Sequence, residues 1–270
     1  MPSFAPNSMH TGITCGHSGL VEQAARLANS LGIALLTGTE GAELILNLTD
    51  HHLELLCPAD PSLTGPVLVD FVTGAAGYRR RHGGAEMLLR AVSNKQKRPL
   101  TVLDATGGLG RDAFILASHG CTVRLVERQP VIGALLADGL RRALAHPETR
   151  AAAQRIILTI ADSRQLLAEL AGEGQPVDVI YLDPMFPKRS KSAKVKKEMQ
   201  VLQLLEGKEE DNGDLLAAAL GVAGNRVVVK RPKGALSLPG PVPSHSHAGI
   251  TTRFDVYLRP GQSRDAEAKT

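Results

Sequence analysis

The stretch Leu100-Thr-Val-Leu-Asp-Ala-Thr-Gly-Gly-Leu-Gly-Arg-Asp112 constrains the fold of this chain more than any other. It opens apolar and β-branched, breaks into Gly107, Gly108 and Gly110, and resumes as Ala113-Phe114-Ile115-Leu116-Ala117. The pattern predicts a buried parallel strand, a tight turn and a helix. Glycine has no Cβ, so a turn built from it lets a ligand approach the backbone. This is the first unit of a Rossmann-like, nucleotide-cofactor fold. The glycines do not choose the cofactor, because Gly108 to Ala113 also satisfies the dinucleotide pattern G-x-G-x-x-A.

The rest of the chain repeats that unit. Strands are predicted over 123–127, 156–160, 177–182 and 226–229, with helices over 131–144, 163–170 and 215–222. Such alternation means an α/β fold with a mostly parallel sheet and helices on both faces. A late strand is predicted over 254–258. Upstream, Leu20, Ala24, Leu27, Ala28 and Leu31 share a helical face that ends at Gly32, and short strands are predicted over 33–36, 43–48, 53–56 and 67–71. Residues 86–92 read as a helix, and 1–18 as a loose lead-in. The expected organisation is a small N-terminal α+β subdomain over 1–78, a Rossmann-like domain over 79–258 and a flexible tail over 259–270. A hydrophobic content of 43% allows a substantial core, built mainly from Leu, Val, Ile and Ala because Trp is absent. Cys15, Cys57 and Cys121 have no metal-ligand spacing, so no metal is expected. Sparse cysteine, no basic-then-apolar leader and no long apolar run predict a cytoplasmic protein without a membrane span.

In an open parallel sheet the ligand sits at the carboxyl ends of the strands. The first strand delivers Asp104, the glycine turn, Arg111 and Asp112 there. The second delivers Glu127 and Arg128; a carboxylate at that place can accept both hydroxyls of a ribose. The third delivers Asp162 and Ser163. Asp162 either accepts from an adenine amino group or caps the next helix. The fourth ends in Tyr181-Leu-Asp-Pro-Met-Phe-Pro187, which separates the cofactor classes. A nicotinamide enzyme has no use for Asp-Pro-x-Phe there, whereas an amino-group methyltransferase does. The lone pair of a base's exocyclic amine is conjugated into the ring. A carboxylate (Asp183) and a neighbouring carbonyl (Pro184) can accept its two N–H bonds and aim the lone pair, while Phe186 stacks on the base.

Charge is unevenly placed. Residues 1–78 hold one basic residue, Arg26, against seven acidic ones, and the remainder holds 30 against 20. Two basic runs flank the expected site: Arg79-Arg80-Arg81, between glycines, and Lys188, Arg189, Lys191, Lys194, Lys196 and Lys197 after the Asp-Pro motif. Beside a base-binding motif these read as contacts to an RNA backbone, the alternative being a solvated face or a hinge. Lys230-Arg-Pro-Lys233 reads as an extension of the same patch, and His245 and His247 as residues of a Pro/Ser/Gly loop.

Taken together, Asp104-Ala-Thr-Gly-Gly-Leu-Gly-Arg-Asp-Ala-Phe, Val126-Glu-Arg-Gln-Pro, Tyr181-Leu-Asp-Pro-Met-Phe-Pro, Lys191-Ser-Ala-Lys-Val-Lys-Lys-Glu-Met, Val228-Val-Lys-Arg-Pro and Arg253-Phe-Asp-Val-Tyr resemble the ribosomal RNA small subunit methyltransferase J family. Val69-Asp-Phe-Val-Thr-Gly-Ala and the arginine triplet match it too. The resemblance implies a class I methyltransferase using S-adenosylmethionine. It implies transfer to the exocyclic N2 of a guanine in 16S rRNA, guanine 1516, with the free rRNA or the small ribosomal subunit as partner. The cofactor contacts carried over are Arg111, Asp112, Glu127, Arg128, Asp162, Ser163 and Asp183. Three other readings stand beside it. They are an adenine-N6 nucleic-acid methyltransferase, a nicotinamide-dependent oxidoreductase and a non-enzymatic RNA-binding module.

Overall fold

The computed structural model describes residues 10–39, 41–63, 65–73, 85–93, 98–174, 177–184, 197–206 and 213–259. They form two sheets. The larger has strands β5 (Thr101–Asp104), β6 (Thr122–Glu127), β7 (Ile156–Ile160), β8 (Val177–Leu182), β9 (Ala223–Pro232), β10 (His245–Ala248) and β11 (Thr252–Leu258) in the order β10-β11-β9-β8-β5-β6-β7. From β7 to β9 all pairings are parallel; β11 and β10 close one side antiparallel. The chain runs outward from β5 through β6 to β7, then returns to the other side of β5 as β8. The strand order therefore reverses between β5 and β8, the point where an open α/β sheet makes its ligand crevice.

Successive strand residues point to opposite faces, and here both faces are buried. Val102, Leu125, Val179, Tyr181 and Val228 pack on one side with α3 (Arg111–Ser118) and α4 (Pro130–Ala145). Leu103, Val126, Ile180, Leu182 and Val229 pack on the other with α6 (Ser163–Glu173) and α8 (Gly213–Val222). This two-sided burial is why the strands read as continuous apolar runs.

The smaller sheet has the order β2-β1-β3-β4, formed by β1 (Thr11–Cys15), β2 (Ala34–Leu35), β3 (Leu44–Leu48) and β4 (Leu53–Leu56). Helix α1 (Val21–Leu31) crosses from β1 to its parallel neighbour β2 and ends at Gly32, whose φ of 66° is left-handed. Strand β1 corrects the expectation of a loose lead-in. Its Thr-Gly-Ile-Thr-Cys sequence carries one large aliphatic side chain, and a Cβ on Gly12 would lie 2.5 Å from Leu36 Cδ1. Residues 67–71 are corrected the other way. Only Val67 bridges, to Leu55, and Asp70 then accepts from the Val72 and Thr73 N–H groups to turn the chain. The alternation that looked like a strand buries Val67, Val69 and Phe71.

Three further elements were not expected. Helix α5 (Pro147–Ala153) opens with a proline that resembles a break but occupies the first helical turn, where no N–H is needed. Helix α7 (Lys197–Glu206) begins at the end of the basic run and buries Val201, Leu202 and Leu205. Strand β10 contains His245 and His247, whose spacing of two is strand periodicity and whose rings meet edge to face at 5.1 Å. The predicted helix at 86–92 is present as α2 (Glu86–Val92).

The small sheet lies against α4. The Leu53 N–H donates to Asp138, which also receives Arg142, and Arg142 reaches the Val69 carbonyl. Contact is closest at Gly139, where a Cβ would lie 2.4 Å from Val69 Cγ1 and 2.9 Å from the Val69 carbonyl oxygen. A backbone atom cannot swing aside as a side-chain tip can. Gly139→Ala is therefore expected to destabilise the protein by about 2 kcal/mol in denaturant titration, the usual scale of overpacking. Gly133→Ala, which meets the flexible end of Ile160, should cost less.

Candidate active site

The site forms where β5 and β6 end. Gly107 donates its N–H to the Val126 carbonyl at 2.9 Å, and a Cβ there would lie 2.9 Å from that same oxygen. Only glycine lets the turn pack so closely on β6. Gly108 and Gly110 have φ of 51° and 69°, which glycine adopts without strain. Glu127 ties the turn down: one carboxylate oxygen accepts from Gly108 N and the other from Gln129 N, both at 2.8 Å. Burial raises the Glu127 carboxyl above its ordinary range, and these two N–H groups oppose the rise. The Arg128 N–H acts on the carboxylate as well, and with about four acceptor sites on its two oxygens a further donor can still be accepted.

Asp162 caps α6 through the Arg164 N–H at 2.7 Å, and it also lines the cleft. Ser163 holds the turn from below, its hydroxyl donating to the Ala105 carbonyl at 2.6 Å. Arg111 pairs with Glu198 of α7 at 2.7 Å, so α7 forms a wall of the cleft through Glu198, Met199 and Leu202.

Charge concentrates at the floor. Lys230 Nζ lies 2.6 Å from Asp112 Oδ2 and 2.7 Å from Asp183 Oδ2, and the Tyr181 hydroxyl donates to Asp112 at 2.7 Å. The Asp183 N–H donates to the Thr106 hydroxyl at 2.6 Å. Burial opposes the charge on Lys230, but Asp183 and Asp112 outweigh it and hold the ammonium well above the ordinary lysine range. Burial pushes the Asp104 carboxyl up to about 8, with Asp112 and Asp183 adding to the rise and the Thr106 N–H opposing it.

The cleft measures about 290 Å³. Asp104, Gly107, Gly108, Gly110, Arg111, Asp112, Glu127, Arg128, Asp162, Ser163, Asp183 and Pro184 all line it. The sequence reading missed Tyr181 and the α7 residues, and it misplaced Lys230. Lys230 is not part of a basic patch but an internal ion-pair partner, and the adjacent Arg231 is buried and donates to the Leu236 carbonyl. Phe186, Arg79, Arg80, Arg81, Lys188, Arg189, Lys191, Lys194 and Lys196, and the side chain of Lys197, lie outside the described residues.

Comparison with known proteins gives the class. The family described as "Putative SAM-dependent methyltransferase" matches residues 27–259. A ribosomal RNA small subunit methyltransferase J from Thioalkalivibrio sulfidiphilus is 49% identical over 88% of this chain and 94% of its own length. Its namesake from Nitrosococcus oceani is 48% identical over 87% and 93%. The crystal structure of a SAM-dependent methyltransferase from Neisseria gonorrhoeae is 36% identical and superposes with a TM-score of 0.74, covering 96% of this chain and 99% of that one.

This chain belongs to the ribosomal RNA small subunit methyltransferase J family.

It is an enzyme that uses S-adenosylmethionine. The cleft of this methyltransferase fits that donor. The acidic residues Glu127, Asp162, Asp112 and Asp183 suit a molecule bearing a sulfonium and an ammonium, and a Cβ on Gly108 would find no side chain within 4 Å. Glu127 lines the cleft beside the glycine turn, and Arg111 and Asp112 begin the helix that follows that turn.

Asp104 binds its proton more tightly in the folded methyltransferase than in the unfolded chain, where its ordinary value is 3.8. Its contribution to stability is therefore full below about pH 4 and is lost as the pH rises through about 8. Asp104→Asn is expected to remove that dependence. Denaturant midpoints measured across this window should fall less with pH in the variant than in the wild type.

Proposed function

We propose that this methyltransferase modifies the exocyclic N2 of a guanine in 16S rRNA, guanine 1516 by family resemblance. The observation that carries the reading is the position of Asp183-Pro184. These residues leave the end of β8 directly beside the glycine turn, in the same cleft as Glu127 and Asp162. The relatives named for small-subunit rRNA support the acceptor.

S-adenosylmethionine, when bound, supplies a methyl group activated by its sulfonium. The chain's own residues do the rest. Glu127 accepts from the ribose, and Asp162 offers the adenine an acceptor from the oxygen its capping bond leaves over. Asp183 accepts one N–H of the guanine amine and the Pro184 carbonyl the other, which turns the lone pair toward the methyl. Among the described residues no hydrogen bond falls on Asp183 Oδ1, so that oxygen can receive the amine. Orientation of this kind contributes several kcal/mol to a methyl transfer. Phe186 is assigned the stacking role, and the target base must leave its stack to reach the cleft. The basic runs at 79–81 and 188–197 are assigned to the RNA backbone, which makes binding salt-dependent. Such an acceptor places the enzyme in the cytoplasm, acting on free rRNA or the small subunit.

Labelled S-adenosylmethionine incubated with small subunits or 16S rRNA lacking the modification should yield N2-methylguanosine on nucleoside analysis. Asp183→Ala should abolish transfer while retaining donor binding. Label recovered in N6-methyladenosine would move the enzyme to the adenine class, and normal turnover by Asp183→Ala would remove the amine-binding role.

A further inference from the structure

We propose that Lys230 is a positioning residue for the transfer, holding Asp183 as a carboxylate and turning its free oxygen toward the acceptor amine by sharing one ammonium between Asp183 and Asp112. This rests on the reading of Asp183 as the amine acceptor. The placement follows from the sheet. Leu182 of β8 pairs with Val229 of β9, so Asp183, just past the end of β8, and Lys230, within β9, stand at the same level. Asp112 reaches the same point from the first turn of α3. One ammonium then spans two carboxylates at 2.6 and 2.7 Å, with Lys230 only 25% exposed.

Among the described residues, the other groups that face Asp183 would not by themselves keep it ionised. Asp112 faces it from α3, Asp104 from β5 and the Tyr181 phenol from β8, and none of these supplies a positive charge. Burial pushes Asp183 up and Asp112 adds to the rise; Lys230 opposes both, drawing the carboxyl part of the way back toward its ordinary range. Two carboxylates brought this close without a cation would share a proton. A protonated Asp183 could no longer accept on both oxygens. The bond from Lys230 to Oδ2 also fixes the carboxylate plane, which leaves Oδ1 for the guanine amine.

The same arrangement handles the proton released in the reaction. As the N2–methyl bond forms and the methyl–sulfur bond breaks with its electron pair passing to sulfur, N2 must shed one proton. Asp183 Oδ1 accepts it and passes it to water. Lys230 stays charged throughout, because Asp112 remains beside the ammonium while Asp183 carries the proton. Its contribution is to keep Asp183 ready to accept at neutral pH.

The test is single-turnover methyl transfer to 16S rRNA as a function of pH in the wild type, Lys230→Met and Lys230→Arg, with donor affinity measured by calorimetry. The wild-type rate falls at low pH as Asp183 takes up a proton. In Lys230→Met the acid limb should move up by about one pH unit or more, with activity recovering toward alkaline pH. Lys230→Arg should restore the wild-type limb. A Lys230→Met rate lowered equally at every pH, with its limb in place, would make the lysine a packing element only and overturn the proposal. Failure of Lys230→Arg to restore the limb would also overturn it. Should Lys230→Met not fold, Asp112→Asn carries the test with the opposite sign. Lys230 then serves one carboxylate instead of two, and the limb should move down; a limb that stays or rises overturns the proposal. A wild type that forms no N2-methylguanosine would overturn the proposed function and this inference with it, and that outcome is read before any variant is compared.

Discussion

One buried carboxylate holds the active site together. Glu127 stands at the end of β6 and accepts from Gly108 of the preceding strand's turn and from Gln129 at the start of α4. Two strand ends and the starts of two helices are thereby fixed to one side chain. The turn can reach Glu127 only because Gly107 lies against the Val126 carbonyl without a Cβ. Remove either condition and the turn lifts from the sheet, and Arg111, Asp112 and the floor of the cleft move with it. A carboxylate buried this deeply is costly unless it is hydrogen-bonded, and the two backbone N–H groups meet that need while leaving acceptor capacity for a ligand.

The central sheet was readable because both of its faces are covered. A strand buried on both sides carries few polar residues, so β5, β6 and β8 stand out as largely apolar runs between glycines and caps, and the edge strand β7 reads the same way although Ile157 and Ile160 are exposed. The elements that escaped reading are those whose burial depends on distant partners. Strand β1 needs Leu36 to fill the space over Gly12, and β10 needs β11 beside it. The 67–71 segment shows the converse. Its alternation was real, but it expresses packing beneath α4 rather than a ladder of hydrogen bonds.

At the site, the residues that strand ends deliver were readable, since topology alone directs them to one crevice. Asp162 carried two readings; the structure shows the helix cap, with one oxygen accepting from the Arg164 N–H, in a side chain that also lines the cleft. Lys230 was misread because a Lys-Arg-Pro-Lys run resembles a surface patch. In a strand, neighbouring residues face opposite ways, and here both faces are interior. Lys230 therefore meets the acids of the cleft and Arg231 a loop carbonyl. Nothing in local composition distinguishes a lysine that meets water from one that meets two carboxylates.

The contact between Gly139 and Val69 has a consequence for how the molecule comes apart. Among the described residues, Leu46, Leu55 and Val69 belong to the same hydrophobic cluster as Leu136, Leu140 and Val102. The two sheets thus lack a plane of weakness along which one could melt while the other persisted. Heat or denaturant should take both in a single cooperative transition. Damage to an N-terminal strand far from the cleft would then be felt as lost donor binding, with no catalytic atom displaced in the molecules that remain folded.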